Sequence, residues 1–100
     1  MPYKRTSRTH STHTLLLGAA VRELRFCRGM SQEGLAYRTK LHRNYVGAVE
    51  RGEINPTYRT LRAIAAGLDV ELSSLIRLCE EREEDLALER DAVTEEAVAA

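Results

Sequence analysis

Apolar positions along the chain recur at helical spacing, and no strand-like alternation persists. Leu17, Val21 and Leu24 fall at i, i+4 and i+7 of a first helix. Thr14 is placed as its N-cap, its hydroxyl accepting from a first-turn amide. Gly29 supplies the left-handed position that ends it after about Arg28. Ser31 opens a second helix, SQEGLAYR, where Glu33 suits the positive end of the helix dipole. Gly34 weakens that helix by about 1 kcal/mol relative to Ala and stands where a capping box wants Glu or Gln. Thr39 and Lys40 make a tight turn, and Leu41 returns a side chain to the core.

The third helix is HRNYVGAVERG, with Val46 and Val49 inward and Gly52 as terminator. Asn55-Pro56 breaks the chain. Thr57 caps a fourth helix that runs to about Leu68 on a stripe of Leu61, Ile64, Ala65 and Leu68. Val70 and Leu72 lead to a fifth helix, capped by Ser73 and secured by Leu75, Ile76 and Cys79. Beyond Cys79 the apolar stripe thins to Leu86 and Leu88 among acids. Propensity alone carries this helix to about Arg90, and residues 91–100 are expected to fray. The fold class is all-α. The divisions are a polar arm over 1–14, a five-helix body over 15–79 and an acidic helical extension over 80–100.

Composition adds bounds. One hundred residues make one domain, burying roughly 60–65% of the surface of the unfolded chain. Two prolines and six glycines permit long helices. The zero net charge hides a segregation. Residues 1–14 hold Lys4, Arg5 and Arg8 without an acid, and residues 15–63 hold nine cations against four acids. From residue 64 onward three arginines face eleven acids. A basic surface for a polyanion, with an acidic tail held elsewhere, accounts for that pattern. The tail also reads as nothing more than a solvated helix.

Several classes of function find no support. Cys27 and Cys79 form no disulfide framework and are expected to be reduced, partly buried thiols. No apolar run approaches the roughly 18 residues of a membrane span, and the N-terminus lacks the form of a secretory signal, so a cytoplasmic protein is expected. His10 and His13 have a chelating look but lie in the arm without a nearby Cys or carboxylate, so no metal site is expected. Cys27 and His42 lack an orienting third group for catalysis, and no Gly-rich phosphate loop exists. An enzyme, a cofactor and a small-molecule ligand are therefore not expected.

The informative unit is the pair of short helices around Thr39-Lys40. Two helices brace each other at a fixed angle when both carry apolar positions, and Leu35, Ala36, Leu41, Val46 and Val49 supply them. The outward start of the second of the two then offers His42, Arg43 and Asn44. Residues 17–76 resemble the lambda-repressor-like (Cro and Xre) helix-turn-helix family. The stretches that carry the resemblance are LGAAVRELR, GMSQEGLA, NYVGAVERGEINP and LRAIAAGLDVELSSLI. Lys40 departs from the pattern, standing where glycine is usual, and His42 replaces the usual Ser or Thr cap.

The resemblance implies sequence-specific binding of double-stranded DNA by a homodimer on a near-palindromic operator, with the third helix in the major groove. Base contacts are then expected from His42, Arg43, Asn44 and Ala48. Arg43 suits guanine, Asn44 adenine, and Ala48 a thymine methyl. Phosphate contacts are expected from Gln32, Tyr45, Arg51, Asn55, Thr57, Tyr58 and Arg59, with the simple solvation of Arg51 and Arg59 as the bland alternative. Arg25 and Glu50 occupy positions that form an ion pair in similar proteins. Leu72, Ile76 and Cys79 lie in the region through which relatives dimerise. Small proteins of this layout include restriction–modification controllers, compact phage repressors and antitoxins; the controller reading is preferred, with an antitoxin or protein-interaction module as the alternative.

Overall fold

The computed structural model describes residues 11–99, which form five helices: α1 (Thr12–Cys27), α2 (Gln32–Thr39), α3 (Arg43–Glu50), α4 (Tyr58–Gly67) and α5 (Leu72–Ala99). Lys4, Arg5, Arg8 and His10 of the expected arm lie outside the described residues.

The start of α1 corrects the expectation. Ser11 is the N-cap, its Oγ accepting from the Thr14 amide at 3.1 Å. Thr14 is instead a buried residue of the first turn, and its hydroxyl donates back to the Ser11 carbonyl at 3.1 Å. The arm therefore gives way to helix at Thr12. Ser31 and Thr57 cap α2 and α4 as their hydroxyl chemistry requires, accepting from Gly34 N at 2.9 Å and Thr60 N at 3.2 Å.

Two corrections concern α5. It begins at Leu72, with the Ser74 and Leu75 amides donating to the Glu71 carbonyl at 3.0 and 3.2 Å, so Ser73 lies inside the first turn and is not the cap. It also runs past Arg90 to Ala99, where fraying was expected. Ala and Glu, both strong helix formers, supply five of the nine residues 91–99.

The core draws on every helix. Leu17, Ala20 and Val21 of α1, Leu35 and Ala36 of α2, Val46 and Val49 of α3, Ile64 of α4 and Leu75 of α5 are buried together, with Leu68 at the end of α4. Helix α1 packs against α3 and α5, α2 against α3 and α4, and α4 against α5. Helices α1 and α3 approach backbone to backbone at Gly18. A Cβ there would stand 2.4 Å from the Val49 carbonyl oxygen and 2.5 Å from that of Glu50.

The turn between α2 and α3 rests on Lys40, which adopts the left-handed conformation (φ 61°, ψ 24°). A non-glycine residue there costs about 1–2 kcal/mol. The thiols divide: Cys79 is half-buried as expected, but Cys27, the last residue of α1, is exposed, and both are free. No described helix is long and apolar enough to cross a membrane.

Candidate nucleic-acid interface

The seat of α3 is a buried ion pair. Arg25 donates from Nε to Glu50 Oε2 at 2.7 Å and from Nη2 to Oε1 at 3.0 Å, and the two side chains are 8% and 3% exposed. Arg25 Nη1 also donates to the Met30 carbonyl at 2.9 Å, and Gln32 Nε2 to Glu50 Oε1 at 3.0 Å. Every oxygen of the carboxylate is thus occupied, which a buried charge requires. Hydrogen bonding to Glu50 raises the pKa of Arg25, against the opposing effect of burial. The pair ties the end of α3 to α1 and the loop before α2. It also draws the Gln32 amide, a candidate phosphate contact, inward to half-burial.

Helix α3 presents its N-terminal turn to solvent. His42, Arg43 and Asn44 are exposed. His42 Nδ1 accepts from the Asn44 amide at 2.9 Å, so the ring serves as the N-cap and Nε2 is the edge left outward. Arg43 Nη1 donates to Glu33 Oε1 on α2 at 3.1 Å, with both side chains largely exposed. Asn44 leads down the outward face to half-buried Ala48 and exposed Arg51, while Tyr45 packs beside the core. Gly47 on this face is buried.

The segment after α3 carries a second exposed group. Arg51 forms a fork with Glu53, Nε to Oε2 at 2.9 Å and Nη2 to Oε1 at 3.2 Å, which raises the Arg51 pKa. Asn55, Thr57, Tyr58 and Arg59 are exposed. The Tyr58 hydroxyl accepts from Arg62 Nη1 at 3.1 Å, and that guanidinium lies 5.8 Å from the ring centroid. Asn55 lines a groove with Leu16, Ile76 and Cys79, between α1 and α5.

Of the candidate dimer residues, Ile76 is exposed, while Leu72 and Cys79 are half-buried against the core. Sequence reasoning missed the acids that hold the surface arginines, Glu33 and Glu53. The Arg51-x-Glu53 spacing was the available signal for the second. Among the described residues no group of three His, Cys, Asp or Glu side chains is placed to hold a metal ion. His13 does have a carboxylate beside it, contrary to expectation: its Nε2 lies 3.4 Å from Glu83 Oε2.

Comparison with known proteins places this geometry. The family described as "Helix-turn-helix domain" matches residues 16–83. The chain is 38% identical over 63 residues to control protein C.BamHI of Bacillus amyloliquefaciens, covering 62% of this chain and 78% of that one. It is similar in structure to the restriction-modification controller protein C.AhdI of Aeromonas hydrophila, with TM-score 0.64, 40% identity and coverage of 65% and 98%. The controller protein C.Esp1396I, solved as a tetramer in complex with its natural 35 base-pair operator, matches with TM-score 0.67 and 30% identity over 71% of this chain and 93% of that one. With the capped α2–turn–α3 unit and a family match spanning most of its length, the chain belongs to the helix-turn-helix family that includes the restriction-modification controller proteins.

Proposed function

We propose that the chain is a sequence-specific double-stranded DNA-binding regulator of transcription, acting as a homodimer on a near-palindromic operator in the cytoplasm, in the manner of a controller protein. It is read as a non-enzyme that works without cofactor or small-molecule ligand. The observation that carries the reading is the exposed start of α3, with Arg43, Asn44 and Ala48 outward on a helix whose far end is pinned by the Arg25–Glu50 pair. A donor set for base edges has to be held in place to discriminate between them, and the buried pair at the far end of α3 supports that reading. The predominance of basic residues over 15–63 favours a polyanion. Two copies joined through Leu72, Ile76 and Cys79 would set their α3 helices about 34 Å apart, one DNA turn. The tetramer of the relative C.Esp1396I on its operator supports assembly on DNA.

Phosphate contacts are assigned to Gln32, Tyr45, Arg51, Asn55, Thr57, Tyr58 and Arg59, and His42 joins the base-facing group through Nε2. The test is footprinting on the DNA upstream of the chain's own gene, followed by binding to operator variants at two salt concentrations. Arg43→Ala and Asn44→Ala are expected each to relax preference at one base pair per half-site, by about 1–3 kcal/mol. Arg59→Ala is expected to weaken all sequences alike and lower the salt slope by about 0.9. Ile76→Asp is expected to give monomers with sharply weakened operator binding. Absence of any protected site would sink the reading.

A further inference from the structure

Position 47 lies one turn into α3, on the outward face below Arg43 and Asn44, and it carries glycine. This gap is not open. A Cβ at residue 47 would meet Arg51 Nη1 at 3.0 Å and Gln32 Oε1 at 3.5 Å. Helical side chains lean toward the N-terminus, over the preceding turn, and the guanidinium of Arg51 lies back over Gly47 in this way. Glu53 grips the same group from the other side through Nε and Nη2. Those two N–H groups form one edge of the planar guanidinium. The fork is rigid, so the second edge, between Nη1 and Nη2, faces away from the carboxylate.

We propose that Arg51 is a base reader, presenting its Nη1–Nη2 edge to guanine in the place that a side chain at residue 47 would otherwise fill. The inference rests on the DNA-binding reading above and revises one assignment within it, because Arg51 was expected on a phosphate. Two features favour the base. The Glu53 carboxylate offsets the positive charge that a phosphate contact exploits, yet leaves the outward donors in place. The fork with Glu53 also fixes the plane of the guanidinium, and orientation matters for two parallel hydrogen bonds to O6 and N7 far more than for a charge contact. Gly47 is then the residue that makes room, and Glu53 the positioning residue.

The experiment selects a consensus from a randomised duplex library with the full-length chain, then measures variants against every single base-pair substitution. Arg51→Lys keeps the charge but lacks the two-donor edge. It is expected to lose preference at one G·C pair per half-site by roughly 5- to 100-fold with an unchanged salt slope. Gly47→Ala sets a methyl 3.0 Å from Nη1, tight enough to push the end of that flexible side chain aside. It should weaken the same preference while the thermal midpoint holds or rises, since Ala is the better helix former. Glu53→Gln should blunt that preference and raise affinity for unrelated duplexes. The inference is overturned if Arg51→Lys discriminates as the wild type does, or if Arg51→Ala weakens every duplex equally with a shallower salt slope. A wild-type chain that enriches no consensus instead overturns the DNA-binding reading, and this inference with it.

Discussion

Arg82 on α5 meets Glu23 on α1 through two hydrogen bonds, Nε to Oε1 at 3.1 Å and Nη2 to Oε2 at 2.8 Å, across 59 residues of sequence. Arg82 Nη1 also donates to Asp85 at 3.2 Å, one turn along α5. The fork stands past the last core contacts of α5, so its effect is to fix where the acidic helix lies rather than to hold the body together. Arg82→Ala is expected to leave the melting midpoint close to wild type while amides beyond residue 82 exchange faster with solvent. Hydrogen exchange read by mass spectrometry checks this; unchanged protection beyond residue 82 would show that the fork tethers nothing.

Removing one partner of the buried pair should be far more damaging. Glu50→Ala leaves the Arg25 guanidinium buried without its carboxylate and releases the Gln32 amide. The expected loss is about 3–5 kcal/mol, read from the denaturant midpoint. Replacing both Arg25 and Glu50 by apolar residues of similar volume should recover much of it. An unchanged midpoint in Glu50→Ala would refute the structural role of the pair.

Lys40 supplies a prediction of opposite sign. Its left-handed backbone (φ 61°) is one that glycine adopts without the Cβ penalty. Lys40→Gly is expected to gain about 0.5–1 kcal/mol, the relief of strain less the added freedom of the unfolded chain. The side chain is exposed, so little packing is lost. A lower unfolding midpoint would mean that the lysine makes up for its backbone elsewhere.

The two thiols should be told apart by alkylation. Cys27 is exposed, whereas burial pushes the Cys79 thiol above its ordinary pKa. A group raised in the folded state contributes stability that is complete below its unfolded pKa, about 8.5 for a thiol, and is lost as pH rises through the folded value. Iodoacetamide at pH 8 should therefore modify Cys27 well before Cys79, and stability should decline above about pH 8.5 less steeply in Cys79→Ala. Equal rates at the two sites would contradict the half-buried placement. If α5 forms the dimer seam, Ile76→Asp should also speed modification of Cys79.

Much of this was legible in the chain because local chemistry decides it. Ser31, His42 and Thr57 each stand before a helical run with a side chain able to accept an amide, and each caps its helix. The start of α1 misleads because the polar stretch S-T-H-T holds several hydroxyls in a row. Thr14 directly precedes the leucines, yet it is Ser11 that lies outside the helix and Thr14 that bonds back to it. Propensity carried the expected α5 to about Arg90, and the helical stretch 91–99 was missed because it offers no apolar stripe to mark its continuation.

The candidate site was legible as a list of donors and illegible as an arrangement. Arg43 and Arg51 stood out as cations on the outward face. That Glu33 and Glu53 hold them depends on where α2 and the loop after α3 lie in space. Gly47 reads in sequence as a missing reader. Only its burial beneath Arg51 and Gln32 gives it a purpose.

The contact at Gly18 bears on how sequences sharing this body can diverge. Where two helix backbones touch with no side chain between them, their separation has no adjustable spacer. Substitutions among the buried side chains can alter volume around α1 and α3 but leave the backbone contact at Gly18 in place. The pose of α3 against α1 is thus a fixed dimension of the body. If two copies share one operator as proposed, half-site spacing would have to evolve at the joint between them, while the bases read would change by exchange of exposed side chains. On that reading, divergence in what is read and divergence in how far apart it is read would be separate events, written at different positions of the chain.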